Sequence, residues 1–312
     1  MRTLLVIGTG LLGTRIARDA VHHGWSVAAV DRDPGSLAAA APWATAGTAV
    51  VDVTDTLTAR RVLAGFAPHT IVHTASRTTP SPDPAHRASQ LRDYANGVAS
   101  AAAAAVAAHA RRLVLLSSLA VYDLGHLTGP VPETTPPSPR SLYGQGKHLE
   151  EALAVRLLHG SGTELSVLRP VGLYGPGRGG GRMHRALHEL SADARSGRPV
   201  RVAATLQGRE HLHVGDAARA TLLAAAPEHP PGIYNIGTGS LVTGELIVRV
   251  LAAAGHQAVA EPAYGTSPLV DGRRAQRHLG FQPAISFAEG LAEILAEPAG
   301  TASGETREGS QQ

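Results

Sequence analysis

The feature that most constrains the fold is a glycine motif close to the amino terminus. Gly8-Thr9-Gly10-Leu11-Leu12-Gly13 follows the apolar run Thr3–Ile7 and leads into the helical pattern Leu12–His23. In a strand–turn–helix context such a motif permits a tight turn, close approach of the backbone to a pyrophosphate, and packing of helix on strand. The helix amino terminus then faces the phosphates. The motif therefore predicts a dinucleotide-binding unit.

Apolar runs continue to alternate with helical patterns along the first half of the chain. The further runs are Ser26–Val30, Ala49–Val51, Thr70–His73, Leu113–Ser117 and Glu164–Leu168. This alternation predicts an α/β fold with a Rossmann-type, doubly wound parallel sheet. We expect a cofactor domain over residues 1–170 with a return segment at about 211–240, a smaller substrate-binding lobe over 171–297, and a disordered tail over 298–312.

Asp31 ends the second predicted strand, where an acidic residue binds the ribose hydroxyls of adenosine. A carboxylate there repels a 2′-phosphate, so NAD is the expected cofactor. Arg32 follows directly and is able to stack on adenine or meet a 2′-phosphate, which leaves NADP open.

Composition excludes several other classes of function. The 312 residues include no cysteine, so disulfides, thiolate nucleophiles and cysteine-ligated zinc are ruled out. Aromatic residues make up 4% and the formal net charge is +3 without a dense basic run, so we expect no nucleic-acid partner. The 16 histidines form no H-E-x-x-H motif, and we expect no metal. Without a long apolar stretch, we expect no membrane association and a cytoplasmic protein.

The chain contains a single lysine, Lys147, among 28 basic residues. It lies four residues after Tyr143, so on a helix the two side chains share one face. An ammonium beside a tyrosine favours the tyrosinate and prepares it for proton transfer near neutral pH. The pair is therefore a candidate acid/base site.

Together these motifs resemble the extended short-chain dehydrogenase/reductases of the NAD-dependent epimerase/dehydratase family over about residues 1–290. Asp52-Val53 resembles the pair that contacts adenine, and His73-Thr74-Ala75 resembles the segment lining the dinucleotide. Asn96 resembles an asparagine that holds the active-site backbone and a water. The cofactor residues implied by motif and resemblance are Gly8, Gly10, Leu11, Leu12, Gly13, Asp31, Arg32, Asp52, Val53, Thr74, Ala75, Ser76, Asn96, Tyr143, Lys147 and Pro170.

The resemblance also implies a mechanism. Ser118, in the segment Ser117–Tyr122, would hydrogen-bond the reacting oxygen, Tyr143 would act as acid and base, and Lys147 would bind the nicotinamide ribose and stabilise the tyrosinate. The candidate substrate-binding residues are Ser118, Arg178, Arg209, His211 and Arg274. Family members commonly pair through two helices, which implies a homodimer through Ala95–Arg111 and Leu142–Leu158.

Departures from the family pattern narrow the reaction. Sugar 4,6-dehydratases carry an acid pair where this chain has Leu119 and Ala120, and the decarboxylating branch carries glutamate at the first of these positions. What remains is hydride transfer with one acid/base, as in a sugar-nucleotide 4-epimerase or ketoreductase. Gly172 replaces an asparagine that helps bind a nucleotide diphosphate, so a reductase or dehydrogenase of a non-nucleotide specialised metabolite stays open. A non-catalytic dinucleotide sensor is a third possibility, which the intact triad opposes.

Overall fold

The computed structural model describes residues 2–76 and 83–297, so the predicted disordered tail lies outside the described residues. Up to residue 170, strands and helices alternate as predicted. These elements are β1 (Thr3–Ile7), α1 (Leu11–His22), β2 (Ser26–Asp31), α2 (Pro34–Ala40), β3 (Gly47–Val50), α3 (Thr56–Gly65), β4 (Thr70–His73), α4 (Pro84–Ala107), β5 (Arg112–Leu116), α5 (Leu142–Leu158) and β6 (Glu164–Pro170).

After residue 170 the elements are shorter and less regular. They are β7 (Gly172–Tyr174), α6 (Arg182–Arg195), β8 (Val200–Val202), β9 (His211–His213), α7 (Val214–Ala225), β10 (Gly232–Ile236), α8 (Gly244–Ala253), β11 (Ala258–Ala260), α9 (Arg273–Leu279) and α10 (Phe287–Ala296).

Seven strands form one sheet in the order β10-β6-β5-β4-β1-β2-β3, and every neighbouring pair is parallel. The predicted doubly wound parallel sheet is therefore confirmed. Because the strands run the same way, their carboxyl ends lie along one edge, where the loops that carry function meet.

Helices cover both faces of the sheet. On one face, Ile16 and Ala17 of α1 pack with Ala217 and Leu222 of α7. On the other, α3 and α4 bury small side chains against the strands. The alanine-rich α4 lies close to its neighbours α3 and α5, as the scarcity of bulky side chains in its sequence predicts.

The helix α4 differs from its prediction at both ends. It begins at Pro84 instead of Ala95 and ends at Ala107 instead of Arg111. Its end is set by His109, whose φ of 51° is incompatible with a continuing right-handed helix. The Arg111 amide then donates to the His69 carbonyl at 2.9 Å, which directs the chain into β5.

The segments after residue 170 build a second apolar core. It combines Tyr174, Leu187 of α6, Ile247 of α8 and Leu291 of α10, among others. By contrast, α7 and β10 pack on the large sheet. The domain boundaries stated above nevertheless remain a prediction. No helix within the two described ranges is both long and apolar enough to cross a bilayer.

Candidate functional site

A cleft of about 830 Å³ opens at the carboxyl edge of the large sheet. One wall is the turn between β1 and α1, and the opposite wall is the start of α5 together with the segment after β5. The loop that leads into α6 closes one end. This is the position expected for a ligand site in an open α/β sheet.

The three motif glycines have different surroundings. A Cβ atom on Gly13 would lie 1.8 Å from the Gly8 carbonyl oxygen, and Gly8 has a φ of 91° with Ala75 against it. A Cβ on Gly10 would meet nothing within 4 Å and would project from the turn that lines the cleft. The turn therefore leaves open the space that a pyrophosphate needs at the amino terminus of α1, so these residues fit a dinucleotide.

Asp31 is fixed at the rim of the same wall. Its Oδ2 accepts hydrogen bonds from the Thr9 amide at 2.6 Å and the Thr9 hydroxyl at 3.0 Å, and its Oδ1 accepts from the Asp33 amide at 3.0 Å. Asp52 similarly accepts from the amide and hydroxyl of Thr54. Both carboxylates line the cleft, and their hydrogen bonds to the protein fix their orientation.

The start of α5 brings Tyr143 to the cleft. Ser141 caps the helix by accepting from the Gly144 amide at 3.0 Å. Gly144 lies so close to the turn Leu119–Val121 that a Cβ there would be 2.1 Å from the Ala120 carbonyl oxygen. This close approach sets the helix against the segment that carries Ser118, so both predicted catalytic hydroxyls line one cleft.

Lys147 is buried one turn further along α5, with 2% of its surface exposed. Its Nζ donates to the Leu116 carbonyl at 2.8 Å and to Glu150 Oε2 at 2.9 Å. Burial alone would lower the pKa of this ammonium, but the Glu150 carboxylate and the Tyr143 phenol raise it above its ordinary value. Lys147 is thus held as a cation beside Tyr143.

The two adjacent serines after β5 have different roles. The Ser117 hydroxyl is buried and donates to Glu151, which is also paired with Arg169. Ser118 is half-buried, and its Oγ accepts from the Ala120 amide at 3.2 Å. Ser118 therefore caps the short turn, and its own proton is free to reach a ligand in the cleft.

The structure places Asn96 differently from the expectation. Of the residues predicted to bind cofactor, it alone does not line the cleft. Its Nδ2 donates to the Thr54 carbonyl at 3.3 Å, so it supports the part of the wall that carries Asp52 and Thr54. The other predicted cofactor residues lie around the cleft.

Four of the five predicted substrate residues lie outside the cleft. Arg178 is exposed beside it, and Arg209 is exposed with its guanidinium on Ser267. His211 is buried and bonds the Leu206 carbonyl at 2.8 Å. Arg274 stacks over Tyr234 near Gly232, the first residue of β10, and so lies at the opposite edge of the sheet. Spacing in the sequence could not reveal these orientations.

Other residues line the cleft where the glycine-rich loop enters α6, among them Arg182, Met183 and Arg185, and Leu119 also lines the cleft. Arg185 donates to the Gly180 carbonyl at 2.9 Å, which ties the glycine-rich loop to the helix. Position 185 follows 182 by three residues, which on a helix is a shared face, and this signal was available in the sequence.

Two residues near the lysine, Tyr94 of α4 and Glu150 of α5, were not predicted and line the cleft. His73 of β4, which the resemblance had placed along the dinucleotide, lines it as well. Burial raises the pKa of Tyr94 to about 12, so it stays protonated. Glu150 had a readable signal, since it follows Lys147 by three residues on the same helix.

Within the described ranges, no group of three or more histidine, aspartate or glutamate side chains is arranged to hold a metal ion.

Comparisons with known proteins agree with this geometry. A dTDP-glucose 4,6-dehydratase of Streptomyces griseus is 29% identical over 245 residues, covering 76% of this chain and 73% of that protein. A UDP-glucose 4-epimerase of Thermus thermophilus, solved with NAD, is 25% identical with a TM-score of 0.79, covering 94% of this chain and 97% of its own. MoeE5, solved with UDP-glucose and NAD, is 28% identical with a TM-score of 0.77 and the same coverage.

The model of one protein family matches residues 4–237, a span from β1 to just past β10 that includes the glycine turn, Ser118, Tyr143 and Lys147. The chain therefore belongs to the NAD dependent epimerase/dehydratase family, whose members are NAD(P)-dependent enzymes of the short-chain dehydrogenase/reductase type.

Proposed function

We propose that the protein is an NAD-dependent sugar-nucleotide 4-epimerase or ketoreductase. The observation that carries the proposal is that Ser118, Tyr143 and Lys147 share one cleft with the glycine turn, while Leu119 occupies the position after Ser118. This set supports hydride transfer with a single acid/base.

NAD, when bound, supplies the hydride acceptor or donor. The Tyr143 phenolate takes the proton of the substrate alcohol as the hydride leaves, and the Tyr143 hydroxyl so formed returns a proton to the ketone oxygen in the reverse direction. Lys147 stabilises the tyrosinate form through its charge. Ser118 donates its free proton to the same substrate oxygen and so fixes its orientation.

The dehydratase relative catalyses a reaction that this chain is not equipped to perform. Elimination needs a proton donor and acceptor beside the oxidised carbon, and the resemblance puts that pair at Leu119 and Ala120. Leu119 lines the cleft and has no ionisable group. The proposal is therefore closer to the epimerase and reductase activities than to dehydration.

Arg182 and Arg185 support a phosphorylated substrate. Both line the cleft at the end where the loop enters α6, and guanidinium groups bind phosphate oxygens in bidentate fashion. The sequence offers Arg178, Arg182 and Arg209 as candidate phosphate ligands, and of these three Arg182 lines the cleft. Gly172 also lines the cleft without offering an amide side chain, which keeps the non-nucleotide reductase as the second candidate.

We also propose a homodimer and a cytoplasmic location. Val106 of α4 and Val155 and Leu157 of α5 are 39%, 58% and 44% exposed, on the two helices that the family resemblance pairs. Apolar side chains that remain exposed on two neighbouring helices support the expectation of an interface there.

The test begins with native mass spectrometry of the purified protein and identification of any released nucleotide. The protein is then incubated with UDP-glucose or dTDP-glucose, with NAD+ added where it is absent, and the C4 epimers are separated. We expect conversion to the galacto epimer without net NADH. Epimer formation that survives in Tyr143→Phe would contradict the assigned role. Cofactor binding without any turnover of these substrates, or of 4-keto sugars with NADH, would favour the non-nucleotide reductase or the sensor.

A further inference from the structure

The helix that carries Tyr143 and Lys147 also places two adjacent glutamates in the interior. Glu151 pairs with Arg169, with its oxygens 2.9 Å from Nε and 2.5 Å from Nη2 of the guanidinium. Its neighbour Glu150 is 1% exposed and lines the cleft. A buried carboxylate in a catalytic cleft requires a compensating charge, and Lys147 supplies it.

The contacts around the lysine show what Glu150 does. An ammonium has three donors, and the Leu116 carbonyl and Glu150 Oε2 take two of them at 2.8 and 2.9 Å. The remaining N–H is left for Tyr143 and a bound ligand. Glu150 Oε1 lies 3.8 Å from Nε2 of His73, so both carboxylate oxygens face titratable partners.

Burial isolates the Lys147 ammonium from water, and this isolation carries an energetic cost. Lys147 is 2% exposed, and transfer of a lone ammonium from water to such a site favours its neutral form. Among the described residues, Tyr94 of α4, whose ring centroid is 5.9 Å from Nζ, and Tyr143 of α5 also act on the ammonium, while His73 of β4 faces Glu150. Burial raises the pKa of Tyr94 to about 12, and among these groups the carboxylate in direct contact with the ammonium is that of Glu150.

We propose that Glu150 is a positioning residue that keeps Lys147 protonated and directs its third N–H toward Tyr143 before the dinucleotide binds. The proposal rests on the catalytic role proposed for Lys147, but it does not depend on which substrate is turned over. Loss of the carboxylate would leave a buried lysine with only a carbonyl partner, which would release its proton at lower pH.

The single lysine in the sequence allows the ionisation of Lys147 to be measured directly. Because Lys147 is the only lysine, protein labelled with lysine carrying 13C at Cε gives one signal whose chemical shift follows ionisation of that ammonium. We expect the midpoint in Glu150→Gln, which keeps the shape and removes the charge, to lie at least about one pH unit below that of the wild type. A smaller shift would overturn the proposal.

Glu151→Gln is the matched control, because it removes an adjacent buried carboxylate that contacts Arg169 and not Lys147. It should lower thermal stability and leave the lysine midpoint nearly in place. If Glu151→Gln lowered the Lys147 midpoint as much as Glu150→Gln does, the effect would come from the loss of any nearby negative charge. That result would overturn the role proposed for Glu150.

A second variant covers the case in which Glu150→Gln does not fold. Glu150→Asp keeps the charge and withdraws it from Nζ by one methylene, so its midpoint must lie below that of the wild type. An unchanged midpoint would also overturn the proposal. Neither titration requires turnover, so a failure of the sugar-nucleotide assay and a failure of this proposal are distinguishable.

Discussion

At the scale of single residues, the glycines of the turn between β1 and α1 serve different purposes. Gly13 is needed for the fold, and Gly10 is needed for binding. A methyl group on Gly13 would lie 1.8 Å from the Gly8 carbonyl oxygen, whereas a methyl group on Gly10 would meet no atom within 4 Å. Gly10 also has a φ of −68°, which any residue adopts. Substitution by alanine should therefore affect stability at Gly13 and ligand binding at Gly10.

We expect Gly10→Ala to fold normally and to bind NAD+ about 10- to 100-fold more weakly, because its methyl group takes the space of the pyrophosphate. Gly13→Ala is the contrasting variant, and it should lose about 3 kcal/mol of unfolding free energy through the clash with Gly8. Calorimetric titration and thermal unfolding of both proteins measure these effects. Equal loss of stability in the two variants would show that Gly10 has a structural role.

Sequence reasoning identified the residues whose role is set by local spacing. The glycine turn, Asp31, Tyr143 and Lys147 line one cleft because each lies at a strand end or one helical turn from its partner. It did not reveal which way a long side chain points. Arg274 was expected in the substrate site, but its side chain packs on Tyr234 at the other edge of the sheet.

At the scale of elements, α5 has three functions along its length. Its first turn holds Tyr143 beside Ser118, its second holds Lys147 on Glu150, and Glu151 then anchors it to Arg169 of β6. The sequence predicts a helix over Leu142–Leu158, but it does not distinguish Glu150 from Glu151. Only the sheet behind the helix assigns one glutamate to the lysine and the other to the arginine.

The outer faces of α4 and α5 make a prediction about assembly. Val155 is 58% exposed, and we expect Val155→Asp to convert a dimer into a monomer, because a charge there would be buried on association. Val259→Asp is a suitable control, since Val259 is 59% exposed on β11. Sedimentation or light scattering at several concentrations compares them. A monomeric wild type, or a dimer that survives Val155→Asp, would reject this interface.

At the scale of the whole molecule, the second apolar core encloses histidines that cannot easily be protonated. His211 contacts the rings of Tyr174 and Phe287, and burial lowers its pKa to about 4. Its Nε2 is engaged with the Leu206 carbonyl, while its buried Nδ1 has no partner among the described residues. The position thus contributes to the stability of the lobe, where its sequence had suggested contact with substrate.

This arrangement predicts how stability depends on pH. In the unfolded chain His211 takes up a proton below about pH 6.5, whereas in the folded protein it does so only near pH 4. The unfolded state therefore binds more protons between these values, and stability falls as the pH is lowered through this window, by about 3 kcal/mol for this residue. The loss is complete below pH 4, where both states are protonated.

His211→Gln keeps a donor for the Leu206 carbonyl and removes the titration, so we expect its unfolding free energy to fall less steeply than that of the wild type between pH 6.5 and 4. His159→Gln, at an exposed position after α5, should leave the slope unchanged. Denaturant unfolding across this range measures all three proteins. A histidine that stays neutral in the folded protein must make the unfolding free energy fall as the pH is lowered. If the wild type and His211→Gln lose unfolding free energy with the same slope, the acid sensitivity of the lobe comes from other groups.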